Sequence, residues 1–190
     1  MATATATIDL NAIRQNWQKL RSMSSNDAAA VVKANAYGLG LAQVTKALYA
    51  EGARIFFVAT AEEGAELRSI LGKKPDIYVF SGHMVGDTEL IKNYNLIPLI
   101  NSIEQLSRHS KLLREKKFGV QLDTGMNRLG MEPMEWESVK ELALSLNPVL
   151  IMSHLACADD PNHKMNSKQL DIFLTLTNKI NINKSLAATG

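Results

Sequence analysis

The sequence predicts an α/β fold built on a parallel sheet, and three observations carry that prediction. Short apolar, β-branched runs alternate with helix-length amphipathic stretches along the 190 residues. The runs start roughly 20 to 33 residues apart, the length of one strand plus one crossover helix. No run is followed by G-x-G-x-x-G or G-x-x-x-x-G-K-[ST], so the nucleotide signatures of open doubly wound sheets are missing. The alternation fits a doubly wound sheet and a (β/α)8 barrel alike, and the missing signatures favour the barrel.

Taken in order, the elements read as follows. The opening MATATATIDL lacks the basic region and apolar stretch of a secretory signal. Leu10, Ile13, Trp17 and Leu20 then share one face of a first helix. Seven strand-like runs follow: AAAVVK from Ala28, RIFFVAT from Arg54, DIYVFSG from Asp76, NLIPLIN from Asn95, KFGVQLD from Lys117, PVLIMSH from Pro148 and INKSLAA from Ile182. Each is too short for a helix and rich in strand formers. Between them, Thr60-Ala-Glu-Glu63 and Asn101-Ser-Ile-Glu104 read as helix N-caps with an acidic residue three positions on. Val139, Leu142, Ala143 and Leu146 lie on one helical face. Seven units do not close an eight-stranded barrel, and SLAATG stands where the loop after strand seven would begin. The expected fold is therefore an incomplete (β/α)8 barrel of about seven strand–helix units.

Composition bounds the function. A net charge of +2, with Lys and Arg dispersed, argues against a nucleic-acid partner. No apolar run reaches the ~18–20 residues of a membrane span. The lone Cys157 excludes an internal disulfide and fits a reducing compartment, so a soluble cytoplasmic protein is expected. His83, His109 and His163 are scattered, without metal-ligand spacing.

Chemistry in such folds gathers at the carboxyl ends of strands. Lys33 ends the first run, on the face shared by Ala29 and Val31 if side chains alternate. Imine formation needs an uncharged amine, and partial desolvation disfavours the ammonium. A lysine snorkelling to solvent is the bland alternative. Arg128 lies in LDTGMNRLG after the fifth run, where a guanidinium fork can hold a carboxylate or phenolate, or simply decorate a glycine turn. His154 follows the sixth run directly, as a catalyst or as an ordinary rim histidine.

AVVKANAYGLG, DTGMNRLG and SHLACAD together resemble the three signature segments of bacterial alanine racemases, in their order and spacing. The match runs from about Ile8 to the chain end. The resemblance implies a pyridoxal 5'-phosphate enzyme that interconverts L- and D-alanine for peptidoglycan. It also implies a homodimer whose barrel precedes a C-terminal β-domain. Residues 1–190 would be the N-terminal barrel domain, truncated before the last barrel unit and without that β-domain. Carried over, Lys33 would bear the cofactor as a Schiff base and act as base on one face of the substrate. Tyr37 would bond the cofactor phosphate, Arg128 would meet the cofactor phenolate and substrate carboxylate, and His154 would support the pyridine ring. Two positions depart from the family pattern. Ala188-Thr189 replaces an Asn-Ser pair, leaving Thr189 as a phosphate donor. Gln121 stands where many members carry a lysine that props the arginine.

The opposite-face base would be a tyrosine of the partner subunit's C-terminal domain. None of Tyr37, Tyr49, Tyr78 and Tyr94 lies in such a domain, so the isolated chain is expected to be inactive. The alternatives are a truncated remnant, a cofactor-binding barrel without turnover, and a related racemase or decarboxylase for another amino acid.

Overall fold

The computed structural model describes residues 4–24 and 26–187. The chain divides into two compact units, Met1–Phe80 with Tyr94–Leu96, and Ser81–Asn93 with Ile97–Gly190. All seven runs expected as strands are strands, each shorter than its apolar run.

The first unit contains α1 (Leu10–Ser22), β1 (Ala30–Val31), α2 (Lys33–Tyr37), α3 (Leu41–Glu51), β2 (Ile55–Val58), α4 (Ala61–Leu71) and β3 (Asp76–Val79). The three strands are parallel, with Ala30 beside Phe56 and Ile55 beside Asp76. Their buried side chains include Phe56, Val58, Ile77 and Val79, the near-continuous apolar character of strands covered on both faces. α1 packs on α3 and α3 on α4. The Trp17 indole donates to Ala28 O at 3.0 Å, which ties α1 to the entry of β1. The apolar face expected for α1 is narrower than its sequence pattern, because Leu20 is 46% exposed. Arg68 is buried and donates to the carbonyls of Gly72, Pro75, Tyr94 and Asn95. One guanidinium thus satisfies the ends of several loops that would otherwise bury unpaired acceptors.

The second unit contains α5 (Thr88–Asn93), β4 (Ile97–Ile100), α6 (Ile103–Leu112), β5 (Gly119–Gln121), α7 (Pro133–Ser145), β6 (Leu150–His154), α8 (Lys164–Leu176) and β7 (Lys184–Ala187). β4 to β7 are also parallel, with Leu99 beside Gly119, Gln121 beside Met152 and His154 beside Ala187. Phe118, Val120, Leu122, Met131, Trp136, Ile151 and Phe173 form the core between sheet and helices. Trp136 satisfies its buried N–H on Leu176 O at 3.1 Å, joining α7 to the end of α8.

Two local expectations are corrected. The cap of α6 is Ser102, which accepts from Gln105 N–H at 3.3 Å. Asn101 belongs instead to the end of β4, donating its side-chain amide to Leu99 O and its backbone N–H to Gln105 Oε1. On α7 Val139, Ala143 and Leu146 pack with Trp136 on the core as expected, while Leu142 is 51% exposed and lies off that face.

His83 and His109 are fully buried, edge to face with ring centroids 5.6 Å apart. His83 Nε2 meets Thr88 Oγ1 at 2.9 Å and His109 Nε2 meets Lys116 O at 3.2 Å, while neither Nδ1 has a partner among the described residues. Burial holds both below the usual imidazole range, and His109 and Arg108 add to the effect on His83, which falls to about 4. The unfolded chain therefore binds these protons first as pH drops. The stability contributed by these two neutral imidazoles is present above about pH 6.5 and is lost toward pH 4, by about 3 kcal/mol for His83 alone. Denaturant unfolding of the full-length protein at stepped pH should show this decline, and a His83→Gln variant should show a shallower one. A profile unchanged by that substitution would remove His83 as its source.

Candidate active site

In the first unit the site begins where β1 ends. Val32 N–H donates to Phe57 O at 2.9 Å, extending the β1–β2 ladder by one residue. Ala30 and Val32 are buried, so alternation leaves Lys33 on the more open face with Val31. The backbone then does something unusual. Ala34, Asn35, Ala36 and Tyr37 have φ of 51°, 55°, 53° and 55°, so α2 is a left-handed turn. For residues with a Cβ this costs roughly 1–2 kcal/mol each, and the surroundings must over-determine it. They do so with several bonds. Ala36 N–H reaches Val32 O at 3.0 Å and Gly38 N–H reaches Ala34 O at 2.9 Å. Asn35 Oδ1 accepts from Leu41 N–H at 2.7 Å, which fastens the turn to the start of α3. The Glu63 carboxylate accepts from Ala34 N–H at 2.8 Å and from Ala59 N–H at 2.7 Å.

Lys33 Nζ lies 5.9 Å from the centre of the Tyr37 ring and 5.8 Å from that of Phe80. Phe80 belongs to an aromatic stack, with Phe57 5.2 Å away and Tyr78 4.8 Å beyond it. The Tyr78 hydroxyl is pushed up to about 12, by burial first and by Asp76 second, so it is a neutral phenol at ordinary pH. Lys33 is half-buried and, among the described residues, its amine has no ion pair and no hydrogen bond. An amine placed over two ring faces and outside any ion pair among the described residues fits a group that presents an aldehyde to it. Tyr37 is 62% exposed.

In the second unit, Arg128 is exposed on the loop that follows β5. Asp123 Oδ1 shapes that loop by accepting from the backbone N–H groups of Gly125, Met126 and Asn127 at 2.8, 2.9 and 3.1 Å. Asp123 N–H to Met131 O (2.8 Å) and Met131 N–H to Gln121 O (2.9 Å) close the loop back onto its strand. Gln121 is buried; its amide donates to Leu129 O at 3.4 Å and its Oε1 has no partner among the described residues. Its contact is thus with the backbone beside Arg128. His154 ends β6, and Gln169 of α8 holds this strand end by donating to His154 O (2.9 Å) and Thr124 Oγ1 (3.1 Å) while accepting from Ala156 N–H (2.8 Å). Thr124 and Ser153 share a hydroxyl hydrogen bond of 2.8 Å, linking the ends of β5 and β6. Thr189 lies outside the described residues.

Lys33 and Tyr37 are therefore brought together on one turn, and Gln121 is brought to the Arg128 loop. Sequence reasoning missed Glu63, Phe80, Asp123 and Gln169 as site-forming residues. Only Asp123, two residues before a glycine in DTG, carried a local signal.

A family model described as "Alanine racemase, N-terminal domain" matches residues 8–190. Alanine racemases of Cereibacter sphaeroides and of a Ruegeria species are 58% and 54% identical, each over 100% of this chain and 55% of their own length. The chain thus spans about half the length of these relatives. Among solved structures, an alanine racemase of Bartonella henselae with covalently bound pyridoxal phosphate gives a TM-score of 0.91 at 34% identity, over 98% of this chain and 57% of that one. The biosynthetic alanine racemase of Pseudomonas aeruginosa gives 0.84 at 34% identity, over 95% and 52%. The fold class is accordingly the one expected, α/β with seven strand–helix units of an incomplete (β/α)8 barrel.

Proposed function

Because this chain belongs to the alanine racemase family, as a match to its N-terminal domain, we propose that the full-length protein interconverts L- and D-alanine with pyridoxal 5'-phosphate carried on Lys33. The observation that supports this most is the Lys33 amine, held over Tyr37 and Phe80 on a tethered left-handed turn. Bound there, the cofactor supplies an electron sink for the bond broken at the substrate α-carbon.

The chain's own residues do the rest. Lys33 anchors the cofactor and carries the α-proton on one face of the substrate. Tyr37 and Thr189 would hydrogen-bond the phosphate. Arg128 would pair with the substrate carboxylate and the cofactor oxygen, with Gln121 bracing its loop, and His154 would support the ring. Racemisation needs a second base on the opposite face. We assign that base to the remaining part of a partner subunit, so the working form is a homodimer. Among the described residues no helix is long and apolar enough to cross a membrane. The product D-alanine suits peptidoglycan synthesis in the cytoplasm.

The test is direct. Full-length protein loaded with pyridoxal phosphate should form D-alanine from L-alanine and exchange the α-hydrogen for solvent deuterium. Cofactor uptake without exchange would identify a non-catalytic barrel. Turnover restricted to another amino acid would identify a related racemase or decarboxylase.

A further inference from the structure

We propose that Glu63 is the positioning residue for Lys33. The inference rests on reading Lys33 as the cofactor-bearing amine, and it adds a residue whose carboxylate is taken up by two backbone N–H groups. Glu63 sits near the start of α4, in a Thr60-x-x-Glu63 pattern whose usual work is to cap its own helix. Thr60 does its part, accepting from Glu63 N–H at 3.4 Å. The carboxylate goes elsewhere. One oxygen takes the N–H of Ala59, the residue just past β2, and the other takes the N–H of Ala34, the residue just past Lys33.

The consequence is mechanical. Before the lysine, Val32 N–H donates to Phe57 O and holds the strand end on β2. The bonds inside the turn run within residues 32–41, from Ala36 to Val32, Gly38 to Ala34, Leu39 to Ala36, Gly40 to Asn35 and Leu41 to Asn35, and set its shape. Glu63 joins the peptide after Lys33 to the exit of β2, so the lysine is attached to β2 on both of its sides. Phe80 follows β3, which pairs with β2, so the same frame carries the ring over which Nζ rests. A misplaced lysine Cα would move the amine relative to both rings, and geometric errors of about 1 Å can cost on the order of 10²-fold in rate.

The chemistry of the two acceptors makes the test sharp. Glutamine supplies one oxygen and sets an NH2 group against the second N–H, so Glu63→Gln breaks one of the two tethers. Aspartate keeps both acceptors on a shorter arm. In the full-length protein, apo Glu63→Gln mixed with pyridoxal phosphate should form the imine absorbance at least tenfold more slowly than wild type. Its kcat for alanine should fall about 10- to 100-fold while KM changes less than about threefold. Glu63→Asp should recover part of both, and Glu62→Gln, a change in the exposed neighbour, should alter neither.

Ala34→Gly separates positioning from stability. It removes the Cβ penalty at a left-handed position but keeps the N–H, so added to Glu63→Gln it should restore the thermal midpoint. The imine rate should stay slow in that double variant. Recovery of the rate along with the midpoint, or a wild-type imine rate in Glu63→Gln, overturns the role assigned to Glu63. Failure of the wild-type protein to form any Lys33-dependent imine overturns the reading of Lys33 instead, so the two failures are distinct.

Discussion

Lys33→Ala in the full-length protein should abolish the imine absorbance that appears on adding pyridoxal phosphate, and borohydride should no longer fix the cofactor to the chain. Alanine racemisation should fall by about 10⁴-fold or more, since one substitution removes both the covalent anchor and the base on one face. Lys33→Arg refines the result. Arginine keeps the positive charge over Tyr37 and Phe80 but stays protonated, so it cannot condense with an aldehyde. If the role of Lys33 is covalent, Arg and Ala behave alike; if it is electrostatic, Arg retains cofactor and much of the activity. A trappable imine that survives in Lys33→Ala would mean another amine carries the cofactor.

The chain's seven strands were legible because buried parallel strands leave a local mark, a short β-branched run bounded by helix signals. Lys33 was legible for the same reason, as a cation at the end of such a run. The turn that carries it was not. Of its four left-handed residues only Asn35 is of a type that tolerates the conformation readily; Ala34, Ala36 and Tyr37 give no warning. The turn's tether to the end of β2 comes from Glu63, 29 residues away and beyond any local window. The Thr60–Glu63 spacing marks the start of α4, yet the carboxylate is taken up by Ala34 and Ala59, and no spacing rule distinguishes those uses. Gln121 shows the same limit from the other side. Alternation places it on the face of Asp123, but only the folded loop shows its amide reaching Leu129 O rather than a guanidinium.

The loop that presents Arg128 should be nearly as sensitive as Lys33, at a position with no side chain at all. Gly130 has φ of 111°, and a Cβ there would lie 2.7 Å from both Asp123 N and Leu122 C. Those are backbone atoms of the segment onto which the loop closes through the Asp123–Met131 and Met131–Gln121 hydrogen bonds. They cannot move aside without breaking that closure. Gly125, at the other side of the same loop, provides the contrast. Its φ of 133° is equally unfavourable for alanine, but the atom its Cβ would meet at 2.8 Å is Met165 Cε, the free end of a flexible side chain. Backbone strain is common to both substitutions at about 1–2 kcal/mol, and the rigid clash is peculiar to Gly130. Gly130→Ala should therefore cost about 3 kcal/mol or more and Gly125→Ala about half as much, by denaturant unfolding of the full-length protein. If Arg128 binds the substrate carboxylate, Gly130→Ala should also raise KM for alanine well beyond the effect of Gly125→Ala. Equal costs at the two glycines would mean that the closure onto β5 is soft and that Arg128 is not held by it.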